Sequence, residues 1–170
     1  FLDLGRTYQV KGANARTIEC WAFTRGFNDG GLFQAGQTGS NFMDYSFRTT
    51  GTDGIFRAQT WGTTDLDATL AGSKAAWHHY AMTYDGTTIK VYYDGKLATT
   101  KAGALNTGAN NIFIGRWNGT YFNGKIDNFR VWNKALSDSV MAARFNKPVA
   151  GHPDMASLLA NYAFEEGTGN

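Results

Sequence analysis

The stretch "WHHYAMTYDGTTIKVYYDGK", residues 77–96, carries seven aromatic rings (histidines included) and two Asp-Gly pairs. Asp-Gly is well suited to the two positive-φ positions of a type I′ hairpin turn, so Asp85-Gly86 and Asp94-Gly95 both read as tight turns. Between them Ile89, Val91 and Tyr93 alternate with Lys90 and Tyr92. Before the first turn, Tyr80, Met82 and Tyr84 alternate with His79, Ala81 and Thr83. A period of two is the mark of a strand with two unlike faces. The stretch therefore predicts an antiparallel, partly buried meander.

The same pattern continues outward. "TIECWAFTR" (residues 17–25), "LFQAG" (32–36), "YSFRTT" (45–50), "GIFRAQTWG" (54–62), "NIFIGRW" (111–117) and "GKIDNFRVW" (124–132) all read as short strands. Turn-rich pieces such as "GFNDGG" and Thr52-Asp53-Gly54 separate some of them. Short strands at regular spacing predict an all-β antiparallel sandwich. "SDSVMAARF" is the one helical segment, with Ser137 as N-cap and Val140, Met141, Arg144 and Phe145 on one side. "SLLANYAFEEGTGN" returns to a strand pattern over residues 158–164. With 170 residues and no low-complexity linker, a single domain spanning 1–170 is the expectation.

Composition excludes several classes. A net charge of +2 without a basic run offers no phosphate track, so nucleic acid is not an expected partner. No apolar stretch approaches the length of a membrane-spanning helix. The single cysteine, Cys20, forbids an intrachain disulfide and reads as a small core residue. His78-His79 lacks the H-E-x-x-H spacing, and neighbouring strand residues face opposite ways, so one zinc cannot easily take both. No G-x-S-x-G elbow and no glycine-rich phosphate loop are present.

"TIECWAFT", "WHHYAMTYDGTTIKVYYDGK" and "FNGKIDNFRVWNKALS" followed by a short helix resemble the laminin G-like, or concanavalin A-like, jelly roll. The likeness runs along nearly the whole chain, and its W-H-H-x-A-x-T-Y-D-G…Y-x-D-G-K run is the most specific part. "LLANYAFEEGTGN" resembles the strand that opens such domains, so it either starts a second tandem copy or closes this one in a permuted arrangement. Docking on this domain is the favoured expectation, since Leu159, Tyr162 and Phe164 would otherwise face water. The resemblance implies lectins, adhesion modules, sialidase-associated domains and some glycoside hydrolases as functions, in an extracellular or cell-surface setting and alongside other domains of one polypeptide. Hydrolases resembling this fold use an E-x-D-x-x-E strand. Here glutamate occurs only at Glu19, Glu165 and Glu166, and "KIDNFRVW" holds a lone Asp127. A glycosidase needs two carboxylates flanking the scissile bond. The chain is expected not to be an enzyme.

A glycan or polysaccharide is the expected partner, because sugars stack on Trp and Tyr while their hydroxyls bond amides and charged groups. Two sites are candidates. Likeness to pentraxins points to the loops "QTGSNFMD" (37–44) and "GRWNGTYFNG" (115–124), with Trp117 or Tyr121 as platform and Asn41, Asp44, Arg116 and Asn118 as polar partners. The competing reading has Trp117 and Phe122 fold back to plug the end of the sandwich. The second candidate is a sheet face in "GIFRAQTWG", where alternation sets Arg57, Gln59 and Trp61 opposite Phe56, Ala58 and Thr60, with Arg48 extending it; an ordinary wet sheet face is the competing reading. Pentraxins place several acidic calcium ligands in the second loop, and this one has none, so a double calcium site is not expected. No cofactor is required; a single structural calcium, with Asp29 of "FNDGG" as a ligand, is left open. Asn118-Gly119-Thr120 is the only N-x-[ST] sequon and would carry a glycan in a eukaryotic secreted protein.

Overall fold

The computed structural model describes residues 1–6 and 10–165. In chain order the strands are β1 (Leu2–Asp3), β2 (Arg16–Thr24), β3 (Gly31–Gly36), β4 (Asp44–Thr49), β5 (Ile55–Gln59), β6 (Leu66–Thr69), β7 (Trp77–Tyr84), β8 (Thr88–Tyr93), β9 (Lys96–Ala102), β10 (Phe113–Ile114), β11 (Arg116–Trp117), β12 (Thr120–Tyr121), β13 (Gly124–Trp132) and β14 (Leu158–Tyr162). The helix α1 (Asp138–Arg144) and a short 3-10 turn (Met155–Ser157) complete the elements.

Two sheets pack face to face. One runs β1-β10-β3-β4-β5-β6, with the β11–β12 hairpin attached through β3; the other runs β14-β13-β2-β7-β8-β9. This is the concanavalin A-like jelly roll that the sequence predicts, with its short helix near the C-terminal end. Period-two burial builds the core. Ile18, Cys20 and Ala22 of β2, Tyr80, Met82 and Tyr84 of β7, and Phe129 and Val131 of β13 meet Phe33, Tyr45, Phe47, Phe56 and Ala58 from the opposite sheet. Phe56 packs on Phe47 and Tyr80 at ring separations of 5.5 and 4.9 Å, and the Tyr45 hydroxyl donates across the sandwich to the Met82 carbonyl at 2.7 Å. Removing this much aromatic surface from water is the main force holding the sheets together. Cys20 is buried and free, as its composition-level reading expects.

The decisive meander forms, with one departure. Asp94 and Gly95 both have positive φ (47° and 73°) and join β8 to β9 directly, as a type I′ turn requires. Asp85-Gly86 does not make the same two-residue turn. Only Gly86 has positive φ there, and three residues connect β7 to β8. The reason is Asp85 itself: its Oδ1 accepts from the Thr87 and Thr88 backbone N–H groups at 2.8 and 2.7 Å, which holds an Asx-type loop.

β14 pairs antiparallel with β13, placing Ala160 opposite Val131 and Tyr162 opposite Phe129. The strand ends at Tyr162, two residues short of the predicted 164. Helix α1 is capped as expected, the Ser137 hydroxyl accepting from the Val140 N–H, though of its four nominated apolar-side residues only Met141 is buried. Among the described residues no helix is long and apolar enough to cross a membrane.

Candidate functional site

The outer faces of both sheets carry polar and aromatic residues; one has an open hollow over β4 and β5, and the other is covered over β2, β7 and β13. On the β1-to-β6 sheet, Phe56 and Ala58 turn inward, so Arg57 and Gln59 turn outward, and Arg48 joins them from β4 by direct pairing with Arg57. Asp67 of β6 lies opposite Arg57 on the next strand. Two arginines side by side would repel, yet each is matched by a carboxylate. Arg57 grips Asp67 through Nε and Nη2 at 2.6 and 2.8 Å. Arg48 donates from Nη1 to Asp29 Oδ1 at 2.5 Å and from Nε to Gln59 Oε1 at 3.0 Å. The Asp67 contact raises the Arg57 pKa, while burial lowers that of Arg48. The guanidinium of Arg57 in turn holds the Asp67 carboxyl below the usual carboxylate range.

Two tryptophans wall this face. Trp61 lies just beyond β5, outside the strand in which the sequence placed it, with φ of 61°. Asp65 holds its loop closed, accepting from the Thr60 N–H at 2.8 Å and from Gln59 Nε2 at 2.6 Å. The Trp61 carbonyl accepts from the Phe42 N–H at 2.9 Å, which ties it to the 37–44 loop. Trp117 arrives from a separate part of the chain, on the β11–β12 hairpin laid across β3. That approach needs Gly31: a Cβ there would stand 2.5 Å from Trp117 Cβ. Beside it, a Cβ on Gly30 would meet the Tyr121 carbonyl oxygen at 2.3 Å, so "FNDGG" is a seat for the hairpin as well as a turn.

Trp117 is fixed by its surroundings. Its indole Nε1–H donates to Asp44 Oδ2 at 3.0 Å, and the Arg48 guanidinium sits 4.2 Å from the ring centre. Trp61 lies 6.0 Å from it, inclined by 36°. Together Trp61, Trp117, Asn41, Arg48, Arg57, Gln59, Gly62 and Asp65 line an open hollow of about 430 Å³. Both tryptophans are half-exposed. Asn41 and Trp117 of the rim candidate thus share a hollow with Arg48, Arg57, Gln59 and Trp61 of the sheet-face candidate.

Not every nominated residue lies there. Asp44 is fully buried beneath Trp117, its other oxygen accepting from the Ser46 hydroxyl; burial pushes its carboxyl up to about 6 against these hydrogen bonds. Asn118 is exposed at the hairpin tip with φ of 43°, and its N–H donates to Gln34 Oε1 at 2.8 Å. Arg116 and Tyr121 are cross-strand partners and share the opposite side of the hairpin from Trp117. There Arg116 packs over Phe1 and Phe113, and Tyr121 stacks on Phe1 at 5.4 Å. Tyr121 borders a separate hollow of about 280 Å³, with Phe1, Leu2, Ile114, Phe122, Ile126 and Phe164 in its lining. Of the two residues in the plug reading, Phe122 packs on the core and Trp117 lies outside it. Asp65 and Asp67 were missed, although "DLD" has the period of two that puts both on the arginine face.

Among the described residues no group of three or more His, Cys, Asp or Glu is placed to hold a metal ion. Asp29 Oδ1 pairs with the Arg48 guanidinium at 2.5 Å.

On the other sheet the polar cluster is sealed. Glu19 Oε2 lies 3.0 Å from His79 Nε2, and Oε1 accepts from Trp132 Nε1 at 3.0 Å, with Arg130 Nη1 at 3.5 Å. Burial alone would raise the Glu19 pKa; the hydrogen bond and charge of His79, with Arg130 and Trp132, outweigh it and lower it. Phe145 stacks on Trp21 and His152 packs on Trp132 at 4.4 Å, so the segment after α1 closes over these groups. His78 points elsewhere, to Asp94 at 2.8 Å. The two imidazoles meet different partners, as neighbouring strand residues facing opposite ways do. Glu165 lies outside any strand, and Glu166 falls outside the described residues.

A model of the concanavalin A-like lectin/glucanases superfamily matches residues 4–140. No curated protein matches the sequence. Among solved structures, the CBM40 of a Ruminococcus gnavus IT-sialidase bound to α2,3 sialyllactose superposes with a TM-score of 0.65 at 22 % identity, over 81 % of this chain and 85 % of that one. Domain 4 of a GH43 extracellular arabinanase from Geobacillus stearothermophilus, in complex with arabinotriose, gives 0.61 at 19 %, over 81 % and 69 %. A SAP-like pentraxin from Limulus polyphemus gives 0.62 at 14 %, over 81 % and 74 %. At these identities the likeness is one of fold.

Proposed function

Because the chain belongs to the concanavalin A-like lectin/glucanases superfamily, we propose that it is a non-catalytic carbohydrate-binding module that holds a glycan in the Trp61–Trp117 hollow. One observation carries the reading: two half-exposed tryptophans 6.0 Å apart share an open hollow with Asn41, Arg48, Arg57, Gln59 and Asp65. An apolar sugar face packs on the indoles, and the amide, guanidinium and carboxylate edges meet its hydroxyls. Asp44 and Gly31 act beneath, fixing the ring and the approach of Trp117. Neighbours of the same fold that hold sialyllactose or arabinotriose support a glycan as partner.

The carboxylates support the non-catalytic reading. Asp44, whose raised pKa would suit a general acid, is buried under Trp117 with both oxygens engaged. Asp65 and Asp67 are committed to Thr60, Gln59 and Arg57. No step through a metal is invoked. Extracellular or cell-surface placement, next to other domains of a larger protein, belongs to the same reading. A second reading, an adhesive domain that contacts protein partners, is favoured by the exposed apolar side chains of Phe1, Leu2, Tyr121 and Phe164 around the second hollow. Glycan-array screening decides between them: the module reading expects hits that Trp61→Ala and Trp117→Ala remove. An array with no hits, or hits that survive both changes, refutes it.

A further inference from the structure

We propose that this hollow takes uncharged sugars and turns away glycans bearing carboxylate or sulfate groups, an inference that rests on the glycan-binding reading above. A protein recognises a ligand carboxylate best with a free guanidinium fork, two parallel N–H groups from one arginine. Here Arg48 has none to spare, and Arg57 keeps only its terminal Nη1–Nη2 edge, on a guanidinium whose charge Asp67 already pairs. Arg57 spends its Nε and Nη2 edge on Asp67. Arg48 spends Nε on Gln59 and Nη1 on Asp29 and the Thr49 carbonyl. The third nearby cation, Lys101, donates to the Asp65 backbone carbonyl at 3.0 Å.

The fixed charges balance as well. Arg48, Arg57 and Lys101 stand against Asp29, Asp65 and Asp67, so an arriving anion meets no uncompensated positive field. What the arginines still offer is Arg48 Nη2 and the terminal Nη1–Nη2 edge of Arg57, which donate no hydrogen bond to Asp29, Gln59 or Asp67 beyond those named. Donors on guanidiniums whose charge is already paired, beside an amide and two indoles, suit hydroxyl groups and an apolar ring face. An acidic sugar would have to share a guanidinium that a protein carboxylate already holds.

The test is titration calorimetry of the whole chain against two panels. One holds uncharged oligosaccharides of glucose, xylose, mannose, galactose and arabinose; the other holds oligogalacturonate, sialyllactose and a chondroitin sulfate oligosaccharide. The expected result is binding from the uncharged panel, at least about tenfold tighter than any acidic probe. That binding should change less than about twofold between roughly 0.05 and 0.5 M NaCl. Asp67→Asn leaves the Arg57 charge unpaired and its Nε–Nη2 edge without its carboxylate, and should strengthen binding of an acidic probe about tenfold. An acidic probe that binds the unaltered protein as tightly as any uncharged one, and is lost in Trp61→Ala, overturns this inference and leaves the module reading standing. Binding from neither panel, or uncharged binding that persists without both tryptophans, removes the module reading and this inference with it.

Discussion

The two outer faces are built from the same materials and differ in one respect. Each sets tryptophan, arginine and carboxylate side by side on a sheet. Over β2, β7 and β13 the segment after α1 closes the face, leaving Glu19 at 3 % exposure, Arg130 at 5 % and Trp132 at 0 %. Over β4 and β5 the β11–β12 hairpin covers Asp44 and stops short, leaving Trp61 and Trp117 half-exposed. Covered, such a cluster becomes a polar contribution to the fold. Left open, it becomes a place for a ligand. The lesson is that residue type alone did not separate them; what lay on top did.

That contrast can be broken at several strengths. The largest effect belongs to Glu19→Gln. It leaves the buried Arg130 and His79 without their carboxylate and should lower stability by about 3–5 kcal/mol in urea unfolding, with no direct change at the distant hollow. A smaller effect comes from Asp44, and it has the opposite pH sign from Glu19. The Asp44 pKa is raised, so between its ordinary 3.8 and about 6 the folded state holds more protons. Stability from this group therefore falls as pH rises through that window, by on the order of 2–3 kcal/mol. Asp44→Asn should flatten that slope in melts taken across the window. Glu19, with its pKa lowered, keeps its contribution above the usual carboxylate range and loses it only as pH falls below it. A single acid slope, unaltered by Asp44→Asn, would contradict the assignment.

Next comes Trp61→Ala, expected to weaken glycan binding by about 1–3 kcal/mol in calorimetry, the size of an aromatic stacking loss. Its melting temperature should stay near that of the unaltered protein, because the ring lies outside the core. The smallest effect belongs to Asp67→Asn. The Arg57–Asp67 pair is solvent-exposed, so breaking it should change folding stability by no more than about 1 kcal/mol. A large loss of stability there would mean that the open face is structural after all.

Much of the fold could be read from the chain, because strands that pack on one side announce themselves by alternation. "GKIDNFRVW" matches β13 residue for residue, and the Asp94-Gly95 turn needed only its dipeptide. β6 ("LDAT") and β9 ("KLATTKA") escaped because they are short or mostly exposed, with too little apolar alternation to stand out. The site was half legible. Arg48, Arg57 and Gln59 follow from strand period. That Trp117 would cross to join Trp61 could not be read, since it depends on a hairpin seated over Gly30 and Gly31. The Glu19–His79 contact likewise spans 60 positions and exists only through the β2–β7 register, which pairs Cys20 with Tyr80 and Glu19 with Ala81. Splitting Arg116 from Trp117 needed only the rule that neighbours in a strand face opposite ways.

The most direct test uses the tryptophan indole N–H signals in a nitrogen–proton correlation spectrum, followed as an uncharged oligosaccharide identified by calorimetry is added. Trp61 and Trp117 belong to the open hollow, and Trp132 donates to Glu19 under the sealed segment. The indole signals of Trp61 and Trp117 are expected to move until saturation while that of Trp132 stays in place. Saturable shifts confined to Trp21, Trp77 or Trp132, with Trp61 and Trp117 unmoved, would contradict the assignment of the hollow.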